Sequence, residues 1–372
     1  MLREIIERGT ERLEQSALGR TAALRTTAAL QAEVRRIKRA LRTLNINNAL
    51  SSARLGLDES SRAVRQAQRA RRLAALRPAW RLALAGQPER TIATANNKPR
   101  ASGRTVRSEG DQPTGDAAVD EAYDYMGATY DFYWKVFNRD SIDDMGMPLN
   151  GTVHYGQDYD NAFWDGRRMI YGDGDRDQFE RFTKSIDVIG HELTHGVIQN
   201  EAGLIYWGQP GALNESLADV FGSLVKQYFH NETADQADWL IGEGLFTPSV
   251  KGVAIRSLKA PGTAYNDPVL GKDPQPAHMD HYDRTIEDNG GVHINSGIPN
   301  HAFYLGASRI GGYAWERIGF IWYQTLRRPA LSKTANFQDF ARLTLLTAQQ
   351  LFPAGPEAQA VSDAWAAVGI SV

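Results

Sequence analysis

Hydrophobic positions divide the chain into stretches with different periodicities. In the first eighty residues, apolar side chains recur at helical spacing, as at Leu30, Val34, Ile37 and Leu41. This spacing predicts amphipathic helices, because residues three and four apart share one face of a helix. Further along, the aromatic-rich run EAYDYMGATYDFYWKVF predicts a buried helix.

Short alternating pieces separated by Gly, Asp and Asn come next. Residues 153–155, Ala162–Trp164 and Met169–Tyr171 are typical of short antiparallel strands. After Ile186 the pattern turns helical, and apolar helix faces recur up to the C-terminus. Strands followed by helices predict an α+β protein.

Charge is distributed very unevenly. Residues 1–80 contain 17 Lys and Arg against 7 Asp and Glu, a net charge of +10, whereas the remainder contains 25 against 37, a net charge of −12. Trp80 is the one aromatic residue of the first segment. Without large side chains the segment cannot build its own core, so it should fold against another surface. It is either a solvated helical tail or a basic helical pro-segment lying on an acidic catalytic body.

Composition also excludes several classes of protein. No apolar run reaches eighteen residues, so we expect no transmembrane helix and no membrane partner. Charges interrupt the N-terminal sequence MLREIIERGTER, which is therefore not a secretory signal peptide. We expect a soluble protein that is cytoplasmic or is exported by a non-classical route. Cysteine is absent, which excludes disulfides and thiol ligands.

The motif HELTH carries the strongest chemical signal. On a helix, His191 and His195 share a face and can bind one metal ion, and Glu192 can contact a water molecule next to that ion. Catalytic zinc needs a third protein ligand, and Glu215 of the downstream NESLAD sequence can supply it. Asp219, four residues further, can accept the free N–H of a ligating imidazole. Two imidazoles and a carboxylate favour zinc, and Glu192 as general base indicates hydrolysis of an acyl bond.

Four separated motifs resemble one family. HELTHGV, AGLIYWGQPGALNESLADVFG, DNGGVHINSGIPNHAFYL and the upstream VHYGQDYDNAFWDG are together similar to the thermolysin (M4) family of metallopeptidases, closest to its protealysin-like branch. The resemblance implies two lobes, a β-rich N-terminal lobe and a mainly α-helical C-terminal lobe, with zinc in the cleft between them. It implies a helical pro-segment at 1–85, an N-terminal catalytic lobe with the zinc helix at 86–203, and a helical C-terminal lobe at 204–372.

The resemblance also assigns site residues. It implies zinc ligands at His191, His195 and Glu215, with Glu192 activating a zinc-bound water. His293 and Tyr206 would donate to the oxyanion, Asp288 would orient His293, and Asp219 would orient His191. The residues implied to bind substrate are Asn161, Ala162, Arg256, Phe179, Phe182, Val188, Leu245 and Ile255.

These residues imply a zinc-dependent neutral endopeptidase that is made as a self-processing zymogen. The last five substrate residues are apolar, so cleavage is expected on the amino side of bulky hydrophobic residues. The expected partners are protein or peptide substrates, the chain's own pro-segment as an intramolecular inhibitor and folding aid, and a dedicated protein inhibitor. A monomer is expected.

A calcium site known from the family is altered here. Asp187, Asp238 and Glu243 match carboxylates of a double calcium site, but Lys226 and Leu240 stand where further acids would be. An ammonium group at Lys226 can pair with the remaining carboxylates. We therefore expect weak calcium dependence or none.

Two other functions are compatible with parts of the sequence. Arg-rich helices could bind nucleic acid beside a vestigial metal site, but this leaves Glu192, Glu215 and His293 unexplained, and the segment has no aromatic platform for stacking. We therefore expect no nucleic-acid partner. The other alternative is a zinc hydrolase of small amides, against which the strand-like pair at Asn161 and Ala162 argues for extended peptides.

Overall fold

A computed structural model describes residues 86–372, so the predicted basic helices and the predicted pro-segment at 1–85 lie outside the described residues. The N-terminal part contains one five-stranded mixed sheet in the order β2-β1-β3-β5-β4. Its strands are β1 (Arg90–Thr94), β2 (Arg104–Ser108), β3 (Leu149–Val153), β4 (Ala162–Trp164) and β5 (Met169–Tyr171).

The sheet is only partly antiparallel. β4 pairs with β5 in antiparallel register, as predicted. β3, however, lies parallel to both β1 and β5, so the antiparallel prediction was wrong there. A long connection that contains a helix separates β1 from β3, and such a crossover lets two strands run parallel. β3 ends at Val153, because His154 has a left-handed backbone (φ 54°) that turns the chain away.

Helices dominate the rest of the described chain. Two of them, α1 (Ala117–Phe137) and α2 (Ile186–Glu201), pack on the sheet lobe, and the others form the helical lobe. The latter are α3 (Gly208–His230), α4 (Asp288–Asn295), α5 (Gly297–Ile310), α6 (Ile318–Leu326), α7 (Phe337–Leu351) and α8 (Glu357–Ala367). Two-residue pairs β6 (Leu240–Ile241) with β7 (Arg256–Ser257), and β8 (Asn266–Asp267) with β9 (Gly271–Lys272), complete the architecture. The two-lobed α+β prediction is confirmed.

α1 is the predicted aromatic helix. It begins six residues before Tyr123, because the Asp116 side chain accepts hydrogen bonds from the first amides of the helix. It ends where Asn138 adopts a left-handed conformation (φ 52°). Tyr133 and Phe137 are buried and contact rings of the helical lobe, so α1 joins the two lobes.

Two glycines let α2 and α3 approach each other closely. A Cβ atom at Gly190 would lie 3.1 Å from the Cα of Gly222, and one at Gly222 would press against the carbonyl oxygen of Asp187. This contact fixes the distance between the two helices that carry the metal motif. None of the helices between residues 86 and 372 is long and apolar enough to cross a membrane.

Candidate metal centre

Three buried side chains from α2 and α3 converge on one point. One ligand atom each from His191, His195 and Glu215 can be chosen so that all lie within 4.8 Å of one another. The two Nε2 atoms are 3.0 Å apart, and Oε2 of Glu215 lies 3.4 Å from Nε2 of His191. The predicted pairing of the HELTH helix with the NESLAD helix is therefore present in the fold.

The hydrogen bonds around these side chains fit a cation. Nδ1 of His191 is 2.8 Å from Oδ1 of Asp219, and Nδ1 of His195 is 2.8 Å from Oδ1 of Asn214. Both partners are acceptors, so each Nδ1 carries the proton and each Nε2 presents a lone pair. Oε2 of Glu215 is buried without a hydrogen-bond partner. Two imidazole nitrogens and a carboxylate oxygen that face one another form the donor set of a zinc site.

The ionisation of His191 and Glu215 also favours a cation at this site. Burial opposes the charged form of His191, but its hydrogen bond to Asp219 and the nearby carboxylate of Glu215 outweigh this effect and raise the pKa of His191 to about 9. Burial also opposes the ionised form of Glu215, yet the nearby His293 and His195 lower its pKa well below the usual value. The site therefore binds positive charge at His191, and a metal ion would compete with a proton there.

Glu192 lies beside this cluster at the edge of the sheet. Its side chain is 3% exposed, and its Oε2 accepts a hydrogen bond from the backbone N–H of Trp164, 3.1 Å away. β4 thus orients the carboxylate. A sequence motif does not indicate which backbone amide will bind a carboxylate, so this contact could not be predicted from the sequence.

His293 and Tyr206 face the metal centre from the helical lobe. The Tyr206 hydroxyl donates to Oε1 of Glu215 and lies 3.1 Å from Nε2 of His293. Asp288 holds His293 by two bonds, from its Nδ1 at 2.5 Å and from its backbone N–H at 2.8 Å. A left-handed stretch from Asp288 to Gly291, with φ between 50° and 78°, bends the chain so that both bonds form.

Asp219 accepts hydrogen bonds from more groups than the sequence predicted. Besides His191, its oxygens accept from Nε and Nη2 of Arg256 at 2.7 and 2.5 Å, and from Nδ2 of Asn300 at 2.8 Å. Burial opposes its ionised form, but Arg256 and His191 lower the pKa of Asp219. Asn214 and Asn300 are not among the predicted site residues. The position of Asn214 next to Glu215 is a signal for a role at the site, whereas nothing in the sequence indicates a role for Asn300.

The other predicted substrate residues lie near the cleft or in the core. Oδ1 of Asn161 accepts from the backbone N–H of Ala162, the first residue of β4. The five apolar positions are at most 1% exposed and belong to one hydrophobic cluster: Phe179, Phe182, Val188, Leu245 and Ile255. Leu245 and Ile255 meet beside Gly242, where a Cβ would lie within 3.3 Å of both.

An ammonium group lies among the carboxylates that were expected to match a calcium site. Nζ of Lys226 lies 2.5 Å from Asp238, 3.4 Å from Asp187 and 3.5 Å from Glu243. Burial opposes its charge, but these carboxylates raise the pKa of Lys226 above its usual value. The backbone N–H of Leu240 donates a hydrogen bond to Oδ1 of Asp238.

Comparison with known proteins agrees with this geometry. Residues 38–199 match the family model of the thermolysin metallopeptidase catalytic domain, and residues 202–370 match that of the thermolysin metallopeptidase alpha-helical domain. An extracellular metalloprotease of Pectobacterium carotovorum subsp. carotovorum is 56% identical over 288 residues, which cover 77% of this chain and 83% of the relative. Protease PrtS of a Photorhabdus strain is 56% identical over 285 residues, 76% of each chain.

A solved structure is similar over the same region. The precursor of protealysin, a metalloproteinase from Serratia proteamaculans, is 58% identical and superposes with a TM-score of 0.76 over 77% of this chain and 89% of that chain. Family models that cover most of the chain, and relatives of this identity, go beyond a shared fold. The chain therefore belongs to the thermolysin family of metallopeptidases, in which it is a protealysin-like metalloendopeptidase.

Proposed function

We propose that this metalloendopeptidase holds one zinc ion at His191, His195 and Glu215 and cleaves peptide bonds on the amino side of bulky hydrophobic residues. Family membership implies the zinc. The observation that supports the proposal best is the convergence of two Nε2 lone pairs and a buried carboxylate oxygen without a hydrogen-bond partner, next to Glu192. Bound there, zinc would supply a Lewis acid that polarises oxygen atoms and lowers the pKa of water.

Glu192 acts as the general base. A water oxygen attacks the scissile carbonyl carbon while Glu192 accepts the water proton, and the same carboxyl group then delivers that proton to the leaving nitrogen. The Trp164 amide fixes one carboxylate oxygen, so the strand that borders the cleft aims the base. The peptide C–N bond breaks as the nitrogen is protonated.

His293 and Tyr206 stabilise the negative charge that develops on the carbonyl oxygen. The Asp288 carboxylate, 2.5 Å from Nδ1, holds the imidazole of His293 so that Nε2 faces the metal centre, where it can donate to the developing oxyanion. The Tyr206 hydroxyl donates to Glu215 in this structure, so it must turn toward the substrate. Hydrogen bonds that strengthen only in the transition state raise the rate rather than the ground-state affinity.

The substrate binds as an added strand. β4 is a terminal strand of the sheet and contacts α2, the helix of Glu192. Ala162 begins this strand, and Asn161 directly precedes it. Nε and Nη2 of Arg256 bind Asp219, which leaves Nη1 to donate to a substrate carbonyl beyond the cut. The five apolar positions line the site for the substrate side chain that follows the scissile bond. Burial of Leu or Phe in this site gives the selectivity.

The chain is proposed to be a zymogen with a pro-segment at 1–85 and catalytic lobes at 86–203 and 204–372. The first eighty residues carry a net charge of +10 against −12 for the remainder, which favours docking of one on the other. The similar solved protein is described as a precursor. Lys226 replaces the metal ion in the altered calcium position, so calcium contributes little there.

The proposal is tested with peptides that differ only in the residue after the scissile bond. We expect cleavage before Leu or Phe and little before Asp, loss of activity with a zinc chelator, and recovery with zinc. Glu192→Gln should lower kcat/KM by at least about 100-fold while zinc content stays unchanged. Glu316→Gln, an exposed acid on the helical lobe, is the matched control. Activity retained by Glu192→Gln, or preference for Asp, would contradict the proposal.

A further inference from the structure

Asp219 receives hydrogen bonds from three separate elements. His191 donates to it from α2, Arg256 from β7 and Asn300 from α5, while Asp219 itself belongs to α3. Asp219, His191 and Asn300 are fully buried. Among these donors Asn300 has no role in binding a metal or a substrate, which leaves its presence to be explained.

The chemistry of the Asn300 side chain indicates a role other than stabilisation of the fold. The oxygens of Asp219 accept hydrogen bonds from His191 and Arg256, and the amide nitrogen of Asn300 faces the same carboxylate as a further donor. Its carbonyl oxygen Oδ1 is then buried without a hydrogen-bond partner, which costs free energy. An apolar residue of similar shape would avoid this cost. The hydrogen bond from Nδ2 of Asn300 to Oδ2 of Asp219, at 2.8 Å, therefore explains why an amide side chain is present at this position.

The position of Asn300 connects this bond to the opposite side of the cleft. Ser296 has right-handed helical backbone angles, so α4 runs on into α5 from Val292. His293 and Asn300 lie seven residues apart on this run, on the same face and about 10 Å apart along its axis. The helix that presents His293 is thus tied to the helix that presents Glu215 and Asp219.

We propose that Asn300 is a positioning residue, which through Asp219 holds His191 in place for zinc and sets the distance of His293 from the metal centre. This inference rests on the proposed zinc role of His191. Asn300 would then belong to the metal centre, although it neither binds the metal nor contacts a metal-binding side chain directly. Removal of a residue that orients a metal-binding side chain typically lowers metal affinity by about 10–100-fold.

The test is zinc affinity, measured by competition with a fluorescent zinc chelator. It uses the full chain in a Glu192→Ala background, which prevents self-cleavage. Asn300→Leu should raise the zinc Kd about tenfold with no fall in the unfolding temperature of the zinc-free protein. Asn300→Ser removes the same bond without added volume, and the same increase is expected. In the active background, kcat should fall while KM stays nearly constant.

Gln227→Leu is the matched control. Gln227 is also a buried amide, lies on α3 with Asp219, and contacts Ser223 rather than the metal centre. Unchanged zinc Kd in Gln227→Leu together with the increase in the Asn300 variants supports the inference. Equal Kd values in the wild type and both Asn300 variants would overturn it. His191→Ala separates the two proposals: if it binds zinc as well as the wild type does, the zinc site itself is wrong.

Discussion

Lys226 supplies the positive charge among three neighbouring carboxylates, where we propose that it takes the place of a calcium ion. Its ammonium group is shared by Asp187, Asp238 and Glu243, two of which come from the loop that follows α3. Lys226→Met would leave these carboxylates facing one another without a cation. We expect a loss of roughly 2–4 kcal/mol in the free energy of unfolding, and partial recovery with millimolar calcium, both measured by urea unfolding.

An exposed ion pair provides the control for this prediction. Lys135 lies 2.7 Å from Asp131 on α1, and both side chains are largely exposed. Lys135→Met should cost less than about 1 kcal/mol and show no response to calcium. A wild type stabilised strongly by calcium would contradict the view that Lys226 takes the place of the ion.

His154 links two parts of the N-terminal lobe by its charge. Its Nδ1 lies 2.8 Å from Asp173 and its Nε2 lies 3.0 Å from Asp116, the residue that caps α1. Hydrogen bonding to Asp173, against the effect of burial, raises the pKa of His154 to about 9. A pKa raised above its unfolded value means that the stabilisation is complete below about pH 6.5 and is lost as the pH rises through about 9.

We therefore expect a pH-dependent effect of His154→Gln. The variant should be less stable than the wild type by on the order of 1 kcal/mol at pH 6, and the difference should shrink above pH 9. Urea midpoints across this range measure it, with exposed His230→Gln as control. A difference that stays constant with pH would show that the shape of His154, rather than its charge, matters.

At the scale of elements, the contact between α2 and α3 determines the metal centre. Gly222→Ala would place a methyl group against the Asp187 carbonyl oxygen and 3.0 Å from the backbone nitrogen of His191. The helices must then separate. We expect a loss of about 1–3 kcal/mol in unfolding free energy and weaker zinc binding, measured by urea unfolding and chelator competition.

Gly306, a helical glycine with room for a side chain, is the control for Gly222. At Gly306 on α5, the nearest atoms to an added Cβ would belong to Ala364 and Ile318, at 3.7 Å, which is an ordinary van der Waals distance. Gly306→Ala should be neutral or stabilise the protein by roughly 0.5–1 kcal/mol, because alanine favours the helix. If both glycine variants behaved alike, close helix approach would not be what requires Gly222.

At the scale of the whole molecule, the chain is expected to process itself. Purified wild type should lose an N-terminal piece of about 80 residues, the length of the basic segment before the change in composition near Trp80. A zinc chelator should block the loss, and Glu192→Ala should stay intact. Intact mass followed over time gives the result. Equal loss in the Glu192→Ala variant would assign the cleavage to another protease.

The sequence predicted the helical HELTH motif, the aromatic helix and the change from strands to helices, and the fold confirms them. These are local features, because the spacing of residues along one element already fixes which side chains share a face. Parallel pairing of β3 was not predicted, because the sequence of a five-residue strand does not indicate the direction of the strand that pairs with it. The position of Asn300 beside Asp219 could not be predicted either, because 81 residues separate them.

By itself, then, the sequence determined which residues could act as metal ligands and base, because imidazole and carboxylate chemistry is a property of each side chain. Tertiary structure decided whether those groups meet. Glu215 reaches His191 because two glycines let the helices approach, and Glu192 is oriented by an amide of β4. Such contacts depend on packing between distant segments, and packing is set by the shapes of both surfaces together rather than by either stretch of sequence alone.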